Sequence, residues 1–260
     1  MPCYNASNTI DCTLESVQKQ TFQNFEVLLI DDCSTDSTVQ KLKNWEEKDH
    51  RFKALSMEHN SGGPAEPRNK GIENASGDFI CFLDSDDIWY EKKLDIQLNF
   101  INSNNIDFCS SRIFCFSEIP LDFNAICKDI NPSNSKSVNY NKLLKKNIIY
   151  TSSVMISKEL IKEEKFISDR DYTAIEDFEM WLRILKKGSK CYVIDTPLVG
   201  YRESYSQISR SKYNMAKKYW MVLGNYFENF QYEKYYYYVH YAIISFIQLL
   251  KKIILQDKVR

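Results

Sequence analysis

The sequence predicts an α/β fold, a mostly parallel central sheet flanked by helices, with an aromatic-rich C-terminal helical appendage. Three observations lead there. Short apolar runs such as FEVLLI and DFICFL show no alternation, which is how strands buried on both faces read. Each run is followed by a stretch with helical spacing of its apolar residues. From Lys212 onward no strand-like run appears, and tyrosine dominates.

Taken in order, Thr9–Gln20 has the spacing of an amphipathic helix and Phe25–Ile30 is the first full buried strand. Thr35–Lys48 is helical again, with Ser34 or Asp36 as its cap. Phe52–Met57 gives a weaker strand, Pro64–Ala75 a helix, and Asp78–Leu83 another buried strand. Glu91–Asn102 is a helix and Ile106–Phe116 a strand. Residues 117–150 are polar and broken by Pro120 and Pro132, so a long irregular connection is expected there. Val154–Ile156 is a short strand, Glu176–Lys187 an amphipathic helix and Cys191–Ile194 a strand, followed past Pro197 by an extended piece at Val199–Arg202. Two helices, about 212–230 and 234–256, complete the pattern. The expected division is an α/β domain over 1–204 and a helical tail over 205–260.

Composition excludes several classes. With 34 basic and 35 acidic residues among 260, 43% apolar and 27% charged, the chain is neither disordered nor globally basic, and no nucleic-acid partner is expected. The net charge of −1 is a cancellation: residues 205–260 hold nine basic and three acidic residues, a balance of +6, which leaves −7 for the remainder. Ten of the 17 tyrosines lie in that basic stretch. Lysine beside aromatic faces suits a membrane interface, and equally suits packing on the domain or on a second subunit. Eight cysteines show no C-x-x-C spacing, and several, including Cys81, Cys109 and Cys115, sit in apolar runs. Buried free thiols in a reducing compartment are expected rather than disulfides or zinc. The opening MPCYN has no leader-like pattern and the longest apolar stretch, Tyr241–Leu255, is interrupted by Gln248, Lys251 and Lys252, so a cytoplasmic protein is expected.

In parallel α/β sheets ligands bind beyond the carboxyl ends of the strands. After FEVLLI comes Asp31-Asp32-Cys33-Ser34-Thr35-Asp36; after DFICFL comes Asp84-Ser85-Asp86-Asp87. Two acidic clusters on one sheet edge repel unless a cation offsets them. Mg²⁺ or Mn²⁺, bound by a few carboxylates plus phosphate oxygens, does that, and Asp84 and Asp86 are the ligands expected. Asp31 and Asp32 read equally well as capping residues. A calcium loop is a poor fit, since Ile88 stands where a further ligand belongs.

Four ordered segments, MPCYN, LLIDDCSTDST, the run Asn60–Asp87 and IEDFEMWLRI, together resemble the family 2 glycosyltransferases over about residues 1–202. The resemblance implies a GT-A-type nucleotide-sugar-binding fold, a divalent cation (Mn²⁺ or Mg²⁺) and transfer with inversion from a UDP-sugar donor. It implies that Pro2 and Tyr4 line the base pocket, that Asp32 accepts a hydrogen bond from uracil, and that Arg68 flanks the base or phosphates. Asp84 with its neighbour Ser85 would hold the ribose, and Asp86 the metal at the diphosphate. Asp177 is the expected general base, with Glu176 beside it, and Arg183, Tyr201 and Arg202 would face the site from the far side. The chemistry agrees: a diphosphate leaving group needs a cation, and an inverting displacement needs a base on the opposite face of the sugar. At the level of residues alone, Asp177 also reads as a carboxylate at a helix N-terminus and Arg183 as an i,i+4 partner of Glu179. Trp181 reads as packing before it reads as an acceptor contact.

One departure stands out. Family members carry a full apolar strand before the P-x-Y-N segment, whereas here only Met1 precedes Pro2, so a truncated first strand and a protein that begins upstream are expected. The acceptor implied is a saccharide or lipid-linked saccharide of a bacterial surface polysaccharide, reached by peripheral contact of 205–260 with the inner face of the plasma membrane. The rival readings are a catalytically impaired nucleotide-sugar-binding or scaffold protein, and a nucleotidyltransferase. The latter is disfavoured because Cys3–Thr9 has neither glycine nor a basic residue.

Overall fold

The computed structural model describes residues 1–117, 126, 134–203, 212–227 and 232–243. The chain begins with β1 (Pro2–Cys3), α1 (Ile10–Gln18), β2 (Val27–Asp31), α2 (Thr38–Lys48), β3 (Phe52–Ser56) and α3 (Ala65–Asn74). It continues through β4 (Phe79–Cys81), β5 (Ile88–Trp89), α4 (Lys93–Asn104), β6 (Phe108–Phe116) and β7 (Ser135–Val138). After a helical turn at Tyr140–Leu143 and a 3₁₀ turn at Thr151–Ser153 come β8 (Met155–Ser157), α5 (Glu176–Lys186), β9 (Cys191–Arg202) and α6 (Lys212–Tyr226). Residues 232–243 are helical.

Two sheets result. The first, β1-β2-β3, is all parallel, with register Pro2↔Ile30 and Val27↔Phe52. Leu29 and Ile30 of β2 are buried, and α1 closes one side with Ile10, Leu14 and Val17 at helical spacing. The second sheet runs β4-β8-β6-β9-β5, with β7 on β9. Here only β6 and β9 are parallel, so the α/β class is as expected but the second sheet is mixed. The reason is physical: an unbroken apolar run reports burial on both faces, while direction is set by the connections, which the run does not encode.

Three segments differ from the sequence expectation. Cys191–Arg202 is one strand rather than two, because register shifts in β6 around Arg112, which lies opposite Pro197, absorb the proline as a bulge. Residues 135–138, within the stretch expected to be irregular, pair with β9 as an edge strand. The strand expected to reach Leu83 stops at Cys81, leaving the following residues free to turn into the acidic cluster. Helix beyond residue 243 and Cys127 lie outside the described residues. The other seven cysteines are free thiols, but Cys115 is exposed rather than buried because it points away from the core in β6.

β1 comprises two residues, and a cavity of about 670 Å³ lies beside Met1 between the sheets, walled by Leu28, Phe79, Leu98 and Met155 among others. The main core lies under the second sheet, where Trp181, fully buried, packs against Phe82, Phe108 and Phe166. α6 belongs to this same core: Tyr219, Val222, Leu223 and Phe227 are buried in it with Phe178 of α5. The Tyr219 hydroxyl donates to the Leu144 carbonyl, and its ring stacks on Phe178 on one side and Tyr241 on the other. Among the described residues no helix is long and apolar enough to cross a membrane.

Candidate active site

The two acidic clusters and the start of α5 meet around one pocket of about 750 Å³. On one rim stand Pro2 and Tyr4, the latter half-exposed at 51%. Asp32 follows β2 and is buried, its carboxylate accepting from the Ser61 amide and hydroxyl at 2.9 Å each. Its own carbonyl accepts from the Asn60 side-chain amide at 2.8 Å. The 60–63 loop is therefore tied down by Asp32, and it turns at Gly62 with φ +79, where a Cβ would sit 3.2 Å from Arg170 Nε. Both conditions favour glycine.

After β4 the chain enters Asp84–Asp87. The Asp84 amide donates to Ser152 Oγ at 3.1 Å, and Thr9 and Thr13 hydroxyls donate to the Ser85 carbonyl at 2.9 and 3.1 Å. These bonds fix the turn's backbone, so Asp84, Ser85 and Asp86 all line the pocket. Burial, followed by the charge of Asp84, pushes the Asp86 carboxyl up to about 6. Asp87 points the other way: it is buried, accepts from Ser152 Oγ at 2.6 Å and the Arg202 amide at 3.0 Å, and is raised above the usual carboxylate range by burial and by Asp84 and Asp86. Arg202 lines the pocket and donates from Nε to the Asp86 carbonyl at 2.9 Å.

The opposite wall is the start of α5. Ala174, in the left-handed region at φ +70, turns the chain so that Glu176 and Asp177 enter the helix facing the pocket. Asp177 accepts from Thr151 Oγ1 at 2.8 Å. Burial, and then the neighbouring Glu176, raises its carboxyl to about 6, while Arg68 pulls in the other direction. A carboxylate poised near neutrality is suited to taking a proton from a hydroxyl.

Arg68 lines the pocket but is 5% exposed and bridges Asp84 and Glu176, with both ion pairs at 2.7 Å. Burial opposes its charge, but the two carboxylates outweigh that and hold it protonated. Glu176 is thereby committed to an ion pair, so Asp177 is the carboxylate of the two that remains available. Arg183 lies away from the pocket, pairing with Glu164 at 2.6 Å and with Glu179, one helical turn back, at 2.8 Å. Trp181 is sealed in the core and contacts no acceptor space.

Sequence reasoning passed over Asn60, Ser61, Thr151, Ser152 and Asp87. The run Thr151-Ser152-Ser153 directly before a buried strand was the available signal for the hydroxyls. Hard oxygen donors at Asp84 and Asp86 fit a divalent cation in chemistry. Among the described residues no group of three or more His, Cys, Asp or Glu is disposed to hold a metal alone. A cation here would need further oxygens from a phosphate-bearing ligand, as Mg²⁺ and Mn²⁺ accept.

An α/β fold with carboxylates on both walls of a pocket at its strand ends is the arrangement that the resemblance to GT-A-type glycosyltransferases implies. The comparisons with known proteins agree: residues 1–164 match the model for glycosyl transferase family 2, and the chain belongs to that family. It is 37% identical over 249 residues to "UDP-Glc:alpha-D-GlcNAc-diphosphoundecaprenol beta-1,3-glucosyltransferase WfgD" of Escherichia coli, covering 94% of this chain and 91% of that one. It is 36% identical to "Putative teichuronic acid biosynthesis glycosyltransferase TuaG" of Bacillus subtilis, covering 85% and 84% respectively. Among solved structures it resembles S. aureus TarS 1-349 in complex with UDP-GlcNAc, with TM-score 0.68 and 27% identity over 85% of this chain and 62% of that one.

Proposed function

We propose that this enzyme moves a hexose or N-acetylhexosamine, with inversion, from a UDP-sugar to an acceptor hydroxyl in the assembly of a bacterial surface polysaccharide. The observation that carries it is the opposition of Asp84 and Asp86 on one wall to Asp177 on the other, within one pocket. The UDP moiety lies along the Pro2, Tyr4 and Asp32 side, with Ser85 and Arg202 near the ribose and phosphates. Asp84 and Asp86 would hold Mn²⁺ or Mg²⁺, which would supply Lewis-acid stabilisation of a departing diphosphate. Asp177 takes the acceptor hydroxyl's proton from the far side as the new bond forms, and Thr151 keeps its carboxylate oriented.

Solved TarS complexes contain UDP and UDP-GlcNAc, which supports a uridine nucleotide as donor. The name of WfgD specifies a lipid diphosphate acceptor, and on that basis the acceptor here is a saccharide linked to a lipid carrier. The enzyme then works as a peripheral protein on the cytoplasmic face of the plasma membrane. The alternative, a nucleotide-sugar-binding scaffold, would leave Asp177 without a task. The test is a panel of UDP-Glc, UDP-Gal, UDP-GlcNAc and UDP-GalNAc with Mn²⁺, read by UDP release. One donor should be turned over and Asp86→Asn should abolish that turnover; equal rates in wild type and variant would remove the metal role.

A further inference from the structure

The helix at 232–243 has two apolar faces. Tyr237, Tyr238 and Tyr241 turn inward onto the core, with Tyr238 packed edge-on against Trp220 and Tyr241 stacked on Tyr219. Tyr232, Tyr235, Tyr236, Val239 and Ile243 turn outward, each more than half exposed, at the i, i+3, i+4, i+7, i+11 spacing of a single helical stripe. A stripe of that regularity is what an amphipathic helix uses to bury a face, and the body of the enzyme already occupies the other one. Exposed apolar stripes of this kind mark interaction surfaces.

Its fringe and its place in the fold say what covers it. Residues 212–227 and 232–243 hold Lys212, Lys217, Lys218 and Lys234 against the single acid Glu233. Lys145, from the neighbouring wall, stands 6.0 Å from the Tyr236 ring centroid. Within 232–243 Lys234 and Glu233 balance, so the positive charge comes from α6 and Lys145, and tyrosine with aliphatic Val239 and Ile243 in line beside such charge suits a bilayer interface. The helix that carries the stripe packs by its inward Tyr241 on Tyr219 of α6, and α6 in turn reaches the pocket wall. Lys218 donates to the Thr173 carbonyl at 2.7 Å, one residue before the pocket-lining Ala174, and Tyr219 stacks on Phe178 directly after Asp177.

We propose that the outward stripe of helix 232–243 is a docking face for an anionic phospholipid surface, with Tyr232, Tyr235, Tyr236, Val239 and Ile243 entering the interface and Lys145, beside Tyr236, meeting lipid phosphates. This rests on the lipid-linked acceptor reading above, and it adds which surface meets the bilayer. Through α6 the docked helix is joined to the start of α5, and so to the Asp177 wall that a saccharide on a lipid carrier must reach.

The test is flotation of the full chain with vesicles of phosphatidylcholine alone or mixed with phosphatidylglycerol, without donor or acceptor. The wild type should float with the anionic vesicles and not with the neutral ones, and binding should weaken as salt is raised. Val239→Glu, which touches no packed face, and the combined Tyr232→Ser, Val239→Ser and Ile243→Ser variant, which spares Tyr235 on Trp220 and Tyr236 on Tyr237, should each cut vesicle binding about tenfold or more. Both should retain the wild-type melting temperature and donor turnover in solution, which shows separately that the catalytic reading stands. Absence of wild-type flotation overturns the proposal, as does unaltered binding by Val239→Glu. So does a wild-type dimer in sedimentation that the triple substitution converts to monomer, because the stripe would then be a subunit interface.

Discussion

Replacing Arg68 with methionine removes a cation that joins the two walls of the pocket. Its guanidinium is 5% exposed and makes 2.7 Å ion pairs to Asp84 and to Glu176, which is itself 3% exposed and has one carboxylate oxygen without a partner. Methionine fills much of the volume, so the loss is chiefly electrostatic: Glu176 is left charged and buried. Breaking a buried pair from one side costs ~3–5 kcal/mol. For a chain of this size each kcal/mol moves the melting temperature by about 2–4 °C, which gives a drop of roughly 6–20 °C. The discriminating measurement is the double variant Arg68→Met with Glu176→Gln, melted beside the single one at pH 7.5. Neutralising the stranded acid should recover part of the loss. A single variant within about 2 °C of wild type, or a double variant no more stable than the single, would refute the assignment of Arg68 as a structural bridge. Because Arg68 also favours the charged form of Asp177, its removal should move the acid limb of the rate profile to higher pH.

Other outcomes follow from the same geometry. Asp177 is raised from 3.8 to about 6 in the folded protein, so its contribution to stability is present below pH 4 and is lost as pH rises through about 6. Asp177→Asn should therefore melt higher than wild type at pH 8 and show no advantage at pH 4, while turnover falls about 10²–10⁴-fold with UDP binding kept, as read by calorimetry. Wild-type kcat/KM should fall on the acid side of about pH 6, and a flat profile down to pH 5 would exclude Asp177 as the base. Ser152→Ala removes the hydroxyl that donates to Asp87 and accepts from the Asp84 amide, and should cost ~1–3 kcal/mol in a denaturant melt.

The sequence made the strand-end carboxylates legible because a buried strand followed at once by charged residues has one geometric reading: the charges stand at the sheet's edge. Asp32, Asp84 and Asp86 were found that way, and the motif around Asp177 added the opposite wall. Arg68 was found as a participant but its ion-pair partners were not, since nothing in a linear pattern tells which carboxylate a guanidinium meets 108 residues away. Arg183 shows the reverse case. Its i,i+4 relation to Glu179 was readable from the helix period, and that local pairing is the one realised. Trp181 was read as packing before an acceptor contact, and it is fully buried in the core. The mixed second sheet was not readable, because β5 has two residues and β8 three, too short to carry a periodic signal.

The bonds that shape the pocket are drawn from far apart along the chain: 68 with 176, 65 residues between Asp87 and Ser152, and 115 between Asp87 and Arg202. That spacing has a consequence for biosynthesis. Domains fold as they emerge from the ribosome, and contacts of high sequence separation form last. The three-stranded sheet, complete by Ser56, can form early, and Asp84 meets Arg68 from the preceding helix, whereas Asp86 and Asp87 lack their partners until Ser152 and Arg202 have emerged. A nascent chain halted before residue 202 would present an unbalanced acidic turn and no closed pocket. Nucleotide affinity should accordingly appear in one late step of synthesis instead of growing with chain length.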